Sequence, residues 1–387
     1  MDNTELLQII ARDEDSSHQF KADVTNELSV AQEMIAFSNT IGGLLLIGVS
    51  DDGSISGLTR VDINRINNLI SNAASQQIKP SINPLTRNYS FAEGLVMVVH
   101  VQPGLSKPYM DRNGVIWVKN GADKRKATSR EEIQRMYQSS GLLHGDEVLV
   151  PRMTADNIDE KVFSAFYRKQ FGEEFEEQDL PLHQIIENMD LSRNGTLNIA
   201  GALLFGKNTV YRLPVFIVKC VHYPGVEISD DNYIDSEDYS GTIKDMFDGS
   251  LKYILRNIRR IQNGQGVNSL GELEIPKIVF EELITNAIIH RDYFVSAPIR
   301  IMVFGNRFEI INPGHLPNNL TISNIKSGNS NIRNPILTSF ATRILPYRGL
   351  GTGIRRALKA YSNIEFVNDR DNNMFKAVVH YPQIAEF

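Results

Sequence analysis

Residues 277–293 read KIVFEELITNAIIHRDY, and this stretch decides how the second half of the chain folds. Its apolar residues recur with the spacing of one helical face, which predicts a helix with a buried stripe. Glu282, Asn286 and His290 follow at four-residue intervals on another face. A carboxylate and an amide one turn apart suit nucleotide chemistry, because amide oxygens ligate Mg2+ and carboxylates orient or deprotonate water. The same row is also typical of an ordinary solvated helix face.

Two glycine-containing segments further along the chain favour the nucleotide interpretation. Residues 310–317 read IINPGHLP, a predicted strand end that runs into a glycine turn, where the backbone can approach a base edge closely. Residues 348–356 read RGLGTGIRR, a glycine-rich loop that opens a predicted helix. Such a loop presents backbone N–H groups at a helix N-terminus, where a phosphate is favoured. Arg355 and Arg356 are positioned either for phosphate or for solvent.

In this order the three segments resemble the GHKL ATPases, the family of gyrase, a heat-shock chaperone, histidine kinases and the MutL mismatch-repair proteins. Residues 282–287 look like its N box, and residues 312–314 and 349–353 look like its two glycine boxes. A divergent branch found behind Schlafen-type domains is more similar still. It shares the helix end at residues 286–293, the Asn-Pro-Gly turn and the Arg-Asn-Pro of residues 333–335.

The resemblance implies that Glu282 is catalytic and polarises water, that Asn286 holds Mg2+ and that the glycine loop cradles the phosphates of ATP. The usual first glycine box has an aspartate that reads the adenine amino group, and here Asn312 stands in its place. An amide can still hydrogen-bond to an adenine edge. The predicted nucleotide-binding residues are Asn286, His290, Arg291, Asp292, Asn312, Gly314, Arg333, Gly349, Gly351, Thr352 and Gly353.

Two of these assignments leave an alternative open. Residues 290–292 either form a network at the end of the helix or touch the nucleotide directly. Arg333 either contacts the γ-phosphate or fixes the turn that Asn334 and Pro335 form.

The first part of the chain carries a second set of motifs. Residues 14–21 read EDSSHQFK, residues 36–43 read AFSNTIGG, residues 48–53 read GVSDDG and residues 117–121 read WVKNG. In this order they resemble the AlbA-like domain of Schlafen-type proteins over about residues 12–135. Together with the C-terminal half, the resemblance is to bacterial or archaeal Schlafen-like predicted regulators, and it implies nucleic-acid binding.

Some Schlafen proteins also cleave RNA with a metal ion held by three carboxylates. Glu14 and Asp51 occupy two of the corresponding places, and Gln19 occupies the third. The resemblance therefore implies catalytic, metal-ligating roles for Glu14 and Asp51 with Mg2+ or Mn2+. A neutral amide in the third place should weaken capture of the metal.

The charge of the chain restricts how it can contact nucleic acid. Lys plus Arg number 40 and Asp plus Glu 46, so the net charge is 40 − 46 = −6, which excludes a globally basic surface. A local strip is therefore needed, and one candidate either contacts phosphates or is a solvated surface beside a helix. The strip consists of Lys21, Lys119, Lys124, Arg125, Lys126 and Arg130.

Composition narrows the class of protein. The single cysteine, Cys220, excludes intramolecular disulfides and a thiolate zinc cluster. The acidic N-terminus does not read as a signal peptide, and the longest apolar runs are too short to cross a bilayer. We expect a cytoplasmic protein without a membrane partner.

These patterns predict an α+β protein. An AlbA-like nucleic-acid-binding domain is expected over residues 1–138, a helical connector over 139–195, and a GHKL-type α/β sandwich with helices on one face of a mixed sheet over 196–387. The predicted function is an ATP- and Mg2+-binding regulator, in transcription or phage defence, with slow ATPase activity at most. The alternatives are a nucleotide-licensed endoribonuclease and a scaffold with a vestigial nucleotide site. Both resemblances imply a homo-oligomer, and the choice between DNA and RNA stays open.

Overall fold

The computed structural model describes residues 1–228, 232–261, 271–317 and 320–382. The chain divides into two compact units, Met1–Leu143 and His144–Phe387. Residues 1–143 are described completely.

The first unit alternates short helices and strands. Its elements are α1 (Asn3–Ile10), β1 (His18–Lys21), α2 (Glu27–Asn39), β2 (Gly43–Ile47), α3 (Arg60–Asn72), β3 (Ile78–Lys79), β4 (Leu85–Phe91), β5 (Gly94–Val101), β6 (Met110–Asp111), β7 (Trp117–Asn120), β8 (Asp123–Lys126) and α4 (Arg130–Ser139).

A four-stranded sheet in the order β1-β2-β5-β4 forms the centre of this unit. Strand β1 pairs in parallel with β2, and the other pairs are antiparallel. Leu45 and Ile47 of β2 join one apolar cluster with residues of α2 and α3, while Leu46 joins a second with α1. Both faces of the sheet are therefore covered, which explains why this strand is apolar without alternation.

The hairpin of β7 and β8 is attached to the end of α2. The side-chain amide of Asn39 donates to the carbonyls of Tyr109 and Trp117, both at 2.9 Å. Its Oδ1 accepts from the Tyr109 N–H at 2.7 Å. Hydrogen bonding to the backbone on both sides fixes the hairpin beside α2.

The second unit contains more elements. Among its described residues they are α5 (Glu160–Phe171), α6 (Leu182–Asn188), β9 (Ser192–Arg193), β10 (Thr196–Leu197), α7 (Ile199–Phe205), β11 (Val218–His222), β12 (Asp235–Tyr239), α8 (Ile243–Asn257), β13 (Arg260–Ile261), β14 (Glu272–Leu273), α9 (Lys277–His290), β15 (Ile299–Val303), β16 (Arg307–Pro313), α10 (Ile322–Ser327), α11 (Pro335–Ile344), α12 (Gly353–Ala360), β17 (Ile364–Asp369) and β18 (Met374–His380).

Six of these strands form a mixed sheet in the order β12-β11-β15-β16-β18-β17. Strands β11 and β15 are parallel, and all other neighbours are antiparallel. Ile301, Phe308 and Val379 belong to the large core that also includes the apolar stripes of α8 and α9. The opposite face carries only a small cluster around Met302 and Phe304. The helices therefore pack on one face.

The predicted α+β fold class is confirmed. Of the segment 139–195 that the sequence predicts as a connector, residues 144–195 fall within the second unit. There Phe163 of α5 and Ile186 of α6 are part of the same core as α9. Cys220, on β11, is buried as expected, and burial raises the pKa of its thiol.

Candidate functional site

The polar row of α9 faces a cleft in the second unit. Glu282 is 2% exposed and lines this cleft together with Asn286 and His290. The cleft is open to solvent on one side, and its space together with that opening measures about 1020 Å³. A small ligand can therefore enter and reach the polar row of α9.

The N-terminus of α12 lies directly against the polar row. A Cβ atom added at Gly353 would stand 2.5 Å from Glu282 Oε2 and 3.3 Å from Asn286 Nδ2. Only glycine therefore allows this close approach without displacing a neighbour. Gly349 and Gly351, with φ of 68° and 67°, turn the loop that leads there. The glycine-rich loop thus brings a helix start, where anions are favoured, to the carboxylate and amide of α9.

Arg356 closes the same corner of the cleft. It follows Gly353 by three residues, which puts both on one side of α12. Its Nη2 lies 2.7 Å from Glu282 Oε1, so the guanidinium and the buried carboxylate form an ion pair. Burial raises the pKa of Glu282, and the positive charge of Arg356 acts against that shift. Arg356 therefore lines the cleft and pairs with Glu282 rather than pointing into solvent, and a contact with phosphate stays a prediction.

The end of β16 forms the opposite wall. Asn312 is buried, and its Oδ1 has no hydrogen-bond partner among the described residues. Nδ2 of Asn286 likewise lacks a partner there. Gly314 follows with φ of 97°, and a Cβ atom there would stand 2.5 Å from Asp292 Cβ and 2.6 Å from Arg333 Nη1. Two amide atoms at this cleft are therefore available to a ligand.

Residues at the C-terminus of α9 hold that end in place. The Arg291 guanidinium is buried, donates to the carbonyls of Val295 and Ala297 at 2.9 and 2.6 Å, and lies over the Phe216 ring. Asp292 accepts from the Phe294 N–H at 2.9 Å. Neither Arg291 nor Asp292 lines the cleft. Both therefore support the turn after α9, which favours the helix-end alternative.

Arg333 serves the turn as well as the cleft. It lines the cleft and donates to the carbonyls of His290, at 3.3 Å, and His315, at 2.7 Å. Asn334 donates to the carbonyls of Ile289 and Arg291. Enclosure by these groups, together with the charge of Arg333, lowers the pKa of His290 to about 4. The imidazole is therefore neutral at neutral pH.

The structure brings most of the residues predicted for nucleotide binding into one cleft. Those that line it, together with Glu282, are Asn286, His290, Asn312, Gly314, Arg333, Gly349, Gly351, Thr352 and Gly353. The sequence did not indicate Tyr347, Arg348, Phe366 or Phe375, which line it too. Phe366 and Phe375 lie on the neighbouring strands β17 and β18 and pack nearly parallel, with ring centroids 5.9 Å apart, and no motif in the sequence marked them.

The cleft fits a nucleotide on two observations. The unpartnered Asn286 Nδ2 is a donor that suits a phosphate oxygen, the unpartnered Asn312 Oδ1 is an acceptor that suits a base amino group, and Gly353 leaves room where a Cβ would intrude. Magnesium is usually held by one or two protein ligands plus phosphate oxygens and water, and the Oδ1 of Asn286 is the atom of α9 that would serve as such a ligand.

The motif of the first unit folds into a network of polar side chains. Glu14 Oε1 accepts from the Gln19 amide at 2.5 Å and from the Phe20 N–H at 2.6 Å. The Gln19 Oε1 accepts from Lys119 Nζ at 2.7 Å. Asp51 is 85% exposed, with Oδ1 3.9 Å from Lys21 Nζ. No three His, Cys, Asp or Glu side chains in residues 1–143, all of which the structure describes, are placed to hold a metal ion.

The predicted basic strip separates into paired and exposed members. Lys119 is buried, Lys124 pairs with Glu33 at 2.5 Å, and Arg125 binds both carboxylate oxygens of Glu132 at 2.8 and 3.0 Å. Arg125 is exposed as well as paired, the exposed members outside these pairs are Lys126, with Nζ 5.6 Å from the Trp117 ring centroid, and Arg130, and Lys21 is half-buried.

Two family models match this chain. Residues 14–128 match the model described as Schlafen, AlbA_2. Residues 296–376 match the model described as Putative ATP-dependent DNA helicase recG C-terminal. Each unit thus contains a region similar to one model, and we refer to the first unit as the AlbA_2 domain and to the second as the RecG C-terminal-type domain after those models. The predicted Schlafen resemblance is confirmed, whereas the assignment to the GHKL ATPases stays a prediction.

Solved structures show weaker similarity. The DIP2311 protein from Corynebacterium diphtheriae is 18% identical, with a TM-score of 0.48, over 98% of this chain and 80% of its own. The N-terminal domain of a Putative ATP-dependent DNA Helicase RecG-related protein from Nitrosomonas europaea is 21% identical, with a TM-score of 0.24, over 34% of this chain and 96% of its own. No curated protein matches.

The two matches cover the candidate sites unequally. The AlbA_2 match includes Glu14, Gln19, Lys119 and Lys126. The RecG C-terminal-type match begins after α9, so it contains Asn312 and the glycine-rich loop but not Glu282 or Asn286. Among the described helices of both units, none has the length and apolar character needed to span a membrane.

Proposed function

We propose that the RecG C-terminal-type domain binds ATP with Mg2+ in its cleft and that nucleotide binding changes the grip of the AlbA_2 domain on nucleic acid. The observation that carries this proposal is the pair of unpartnered amide atoms, on Asn286 and Asn312, at a cleft that the glycine-rich loop closes. The description of the matching model, an ATP-dependent DNA helicase C-terminal region, supports the use of ATP and a link to nucleic acid.

Each wall of the cleft has its own role. Backbone N–H groups at the start of α12 are suited to phosphate. Asn286 would hold Mg2+ through its Oδ1 and donate from its unpartnered Nδ2 to a phosphate oxygen, and Asn312 Oδ1 would accept a hydrogen bond from the base edge. Glu282 is the candidate for orienting water, as in a GHKL ATPase. Because its carboxylate is paired with Arg356 at 2.7 Å, we propose that hydrolysis is slow.

The AlbA_2 domain contributes the nucleic-acid contact. Lys126 and Arg130 are exposed and close in sequence, and Trp117 lies beside Lys126. Cations of this kind bind phosphates, and an aromatic ring offers a stacking surface for bases. Such contacts do not discriminate DNA from RNA. A grip that responds to nucleotide suits a regulator of transcription or a defence protein, and we propose that it acts as a homo-oligomer.

Calorimetry with ATP and Mg2+ tests the nucleotide site. We expect binding by the intact chain and at least tenfold weaker binding by Asn286→Ala, which is a loss of about 1.4 kcal/mol. Asn372→Ala, at an exposed position of the turn between β17 and β18, is the matched control and should bind like the parent. A parent chain that does not bind ATP would reject the proposal and favour a scaffold with a vestigial site.

Coupling is tested by titrating labelled DNA and RNA with and without ATP and Mg2+. We expect the nucleotide to change nucleic-acid affinity about 5- to 150-fold, the range of a coupling free energy of about 1–3 kcal/mol. Reciprocity requires that nucleic acid change ATP affinity by the same factor. Analytical ultracentrifugation in both states measures whether the oligomer changes. Equal nucleic-acid affinities with and without ATP would contradict the proposed coupling and indicate that the two sites are independent.

A further inference from the structure

Lys119 is a buried cation at the centre of the AlbA_2 motif. Its side chain is 1% exposed, and it lies on β7 beside the Phe37 ring, with Nζ 5.1 Å from the ring centroid. Burial lowers the pKa of Lys119, while the carboxylates of Glu33 and Glu14 act against this shift. A lysine in such a position is retained only where other groups compensate its loss of hydration.

The groups that compensate are oxygens. The ammonium donates to Gln19 Oε1 at 2.7 Å and to the carbonyl of Ala122, and Glu33 Oε2 lies 4.0 Å away. Glu14 stands behind Gln19, which donates to it at 2.5 Å. A side-chain oxygen and a backbone carbonyl contact the ammonium, and the carboxylates of Glu33 and Glu14 lie just outside, so these groups are of the kind that a hard divalent cation takes as ligands. Here a lysine ammonium lies in this shell of oxygens.

The amide of Gln19 is oriented by this arrangement. Its nitrogen donates to Glu14 and its oxygen accepts from Lys119, so both ends are satisfied. A carboxylate at this position could not donate to Glu14, and two adjacent anions would need a stronger cation than one ammonium between them. The neutral amide and the buried lysine are therefore matched to each other. The residues present do not fit a divalent metal ion.

We propose that the Lys119 ammonium takes the place of a divalent cation in the AlbA_2 domain, which therefore binds nucleic acid without a metal and without metal-dependent cleavage. The inference concerns the first unit alone and is independent of the nucleotide site. It gives Gln19 and Lys119 a joint role, because the ammonium also ties β7 to β1 and α2 through Gln19 and Glu33.

Manganese binding to the full chain is the test, with the fluorescence of Trp117 as the readout. Trp117 is the only tryptophan, and it lies on β7 two residues before Lys119. Paramagnetic Mn2+ bound at this site would quench it. We expect the parent chain to show no saturable quenching up to about 1 mM Mn2+, the upper range for weak carboxylate sites. RNA incubated with the chain and Mn2+ should remain intact.

Two variants separate the effect of the Gln19 amide on Mn2+ binding from that of the Lys119 ammonium. Gln19→Glu keeps the ammonium in place and should still show no quenching. Gln19→Glu with Lys119→Met supplies a third carboxylate and empties the shell, so it should gain saturable Mn2+ quenching at least tenfold below the concentration limit of the parent. Lys124→Met in the Gln19→Glu background is the matched control. It removes the other lysine that pairs with Glu33 but leaves Lys119 in place, so this variant should not gain Mn2+ binding.

Several results would overturn the proposal. Quenching or RNA cleavage by the parent chain that is lost in Glu14→Gln would show a working metal site. Mn2+ binding by Gln19→Glu alone would show that the ammonium does not occupy the position of the cation. A folded double variant, checked by circular dichroism, that gains no binding would show that the oxygens do not form a cation shell. The parent and the near-isosteric single variant decide the matter even if the double variant fails to fold.

Discussion

The side-chain amides at the two candidate sites differ in how completely they are hydrogen-bonded. In the motif of the AlbA_2 domain the Gln19 amide donates to Glu14 and accepts from Lys119, so both its nitrogen and its oxygen have partners. In the RecG C-terminal-type domain Asn286 Nδ2 and Asn312 Oδ1 have no partner among the described residues. Because buried polar groups are nearly always satisfied in a folded protein, unsatisfied ones at a cleft indicate a place for a ligand. A satisfied amide in a motif indicates a structural role instead.

The largest expected effect concerns the satisfied network. Glu33→Ala removes the carboxylate that Lys124 and Lys119 share, and the buried Lys119 ammonium keeps its hydrogen bonds to Gln19 and Ala122 but loses its nearest negative charge. We expect a loss of about 3–5 kcal/mol in the free energy of unfolding of the first unit, as for other broken buried pairs. Denaturant unfolding followed by Trp117 fluorescence measures it.

Glu132→Ala provides the control for this experiment. Its partner Arg125 is 47% exposed, so solvent screens the pair and the loss should stay below about 1 kcal/mol. Similar losses in the two variants would contradict the view that the network around Lys119 is a buried structural unit.

Asp146, a buried carboxyl group of the second unit that does not line the cleft, allows the effect of burial to be measured without a ligand site. Asp146 is fully buried and accepts from the Leu337 N–H at 2.9 Å, and burial raises its pKa to about 6. The folded state thus holds this proton more tightly than the unfolded chain. The resulting stability is fully present below the unfolded pKa of about 3.8 and is lost as the pH rises through about 6.

Asp146→Asn should remove this pH dependence, since an amide oxygen still accepts from Leu337 without becoming charged. We expect the variant to gain up to about 3 kcal/mol relative to the parent between about pH 4 and pH 8, because one pKa unit corresponds to about 1.4 kcal/mol. Chemical unfolding at both pH values measures the gain. Asp248→Asn, at an exposed position of α8, should give parallel curves. Parallel curves for Asp146→Asn would show that its carboxyl group titrates normally.

A smaller effect is expected where the glycine-rich loop meets α9. Gly353→Ala places a methyl group 2.5 Å from Glu282 Oε2 and should push α12 away from the unpartnered Asn286 amide. ATP affinity should fall about tenfold, or about 1.4 kcal/mol, in calorimetry. Gly225→Ala has no heavy atom within 4 Å of the added carbon and should leave affinity unchanged. An unchanged affinity in both variants would place the phosphates elsewhere.

The smallest expected effect is on nucleic-acid affinity, when one exposed cation of the AlbA_2 domain is removed. Lys126→Gln should weaken nucleic-acid binding less than tenfold and reduce the slope of log affinity against log salt by about 1, as expected for one lost phosphate contact. Arg130→Gln should behave alike. Lys161→Gln, an exposed lysine of α5, should change neither quantity. If Lys126→Gln leaves this slope unaltered, the β7–β8 hairpin is not part of the nucleic-acid surface.

Local patterns in the sequence were sufficient for much of the fold. The short apolar run at residues 44–49, flanked by glycines, is typical of a strand that is buried on both faces, and clusters on both faces of β2 cover it. The polar row of α9 and the two glycine turns also line one cleft, an arrangement that the resemblance to the GHKL ATPases implied. These signals are readable because each depends on residues a few positions apart.

Contacts between distant segments could not be read in the same way. The pairing of Arg356 with Glu282 joins two helices far apart in the chain, so no local period shows it. Lys119 was predicted to be a surface cation because charge alone says nothing of burial. Its register offered a signal, since Lys119 alternates with Val118 and shares a face of β7 with Trp117, the face that packs toward α2. The position of Glu33 beside Lys119 can be seen only in the structure.

Strand β12 has a consequence for the behaviour of the chain at high concentration. It ends the six-stranded sheet, and its sequence, DSEDY, carries three carboxylates, of which Asp235 and Glu237 pair with Arg256 and Asp238 with Lys219. A strand from another molecule that added itself at this edge would bring its own backbone against a row of anions. Natural sheets use such charges to prevent edge-to-edge aggregation. The acidic border should therefore help to keep the sheet from growing into intermolecular β-structure.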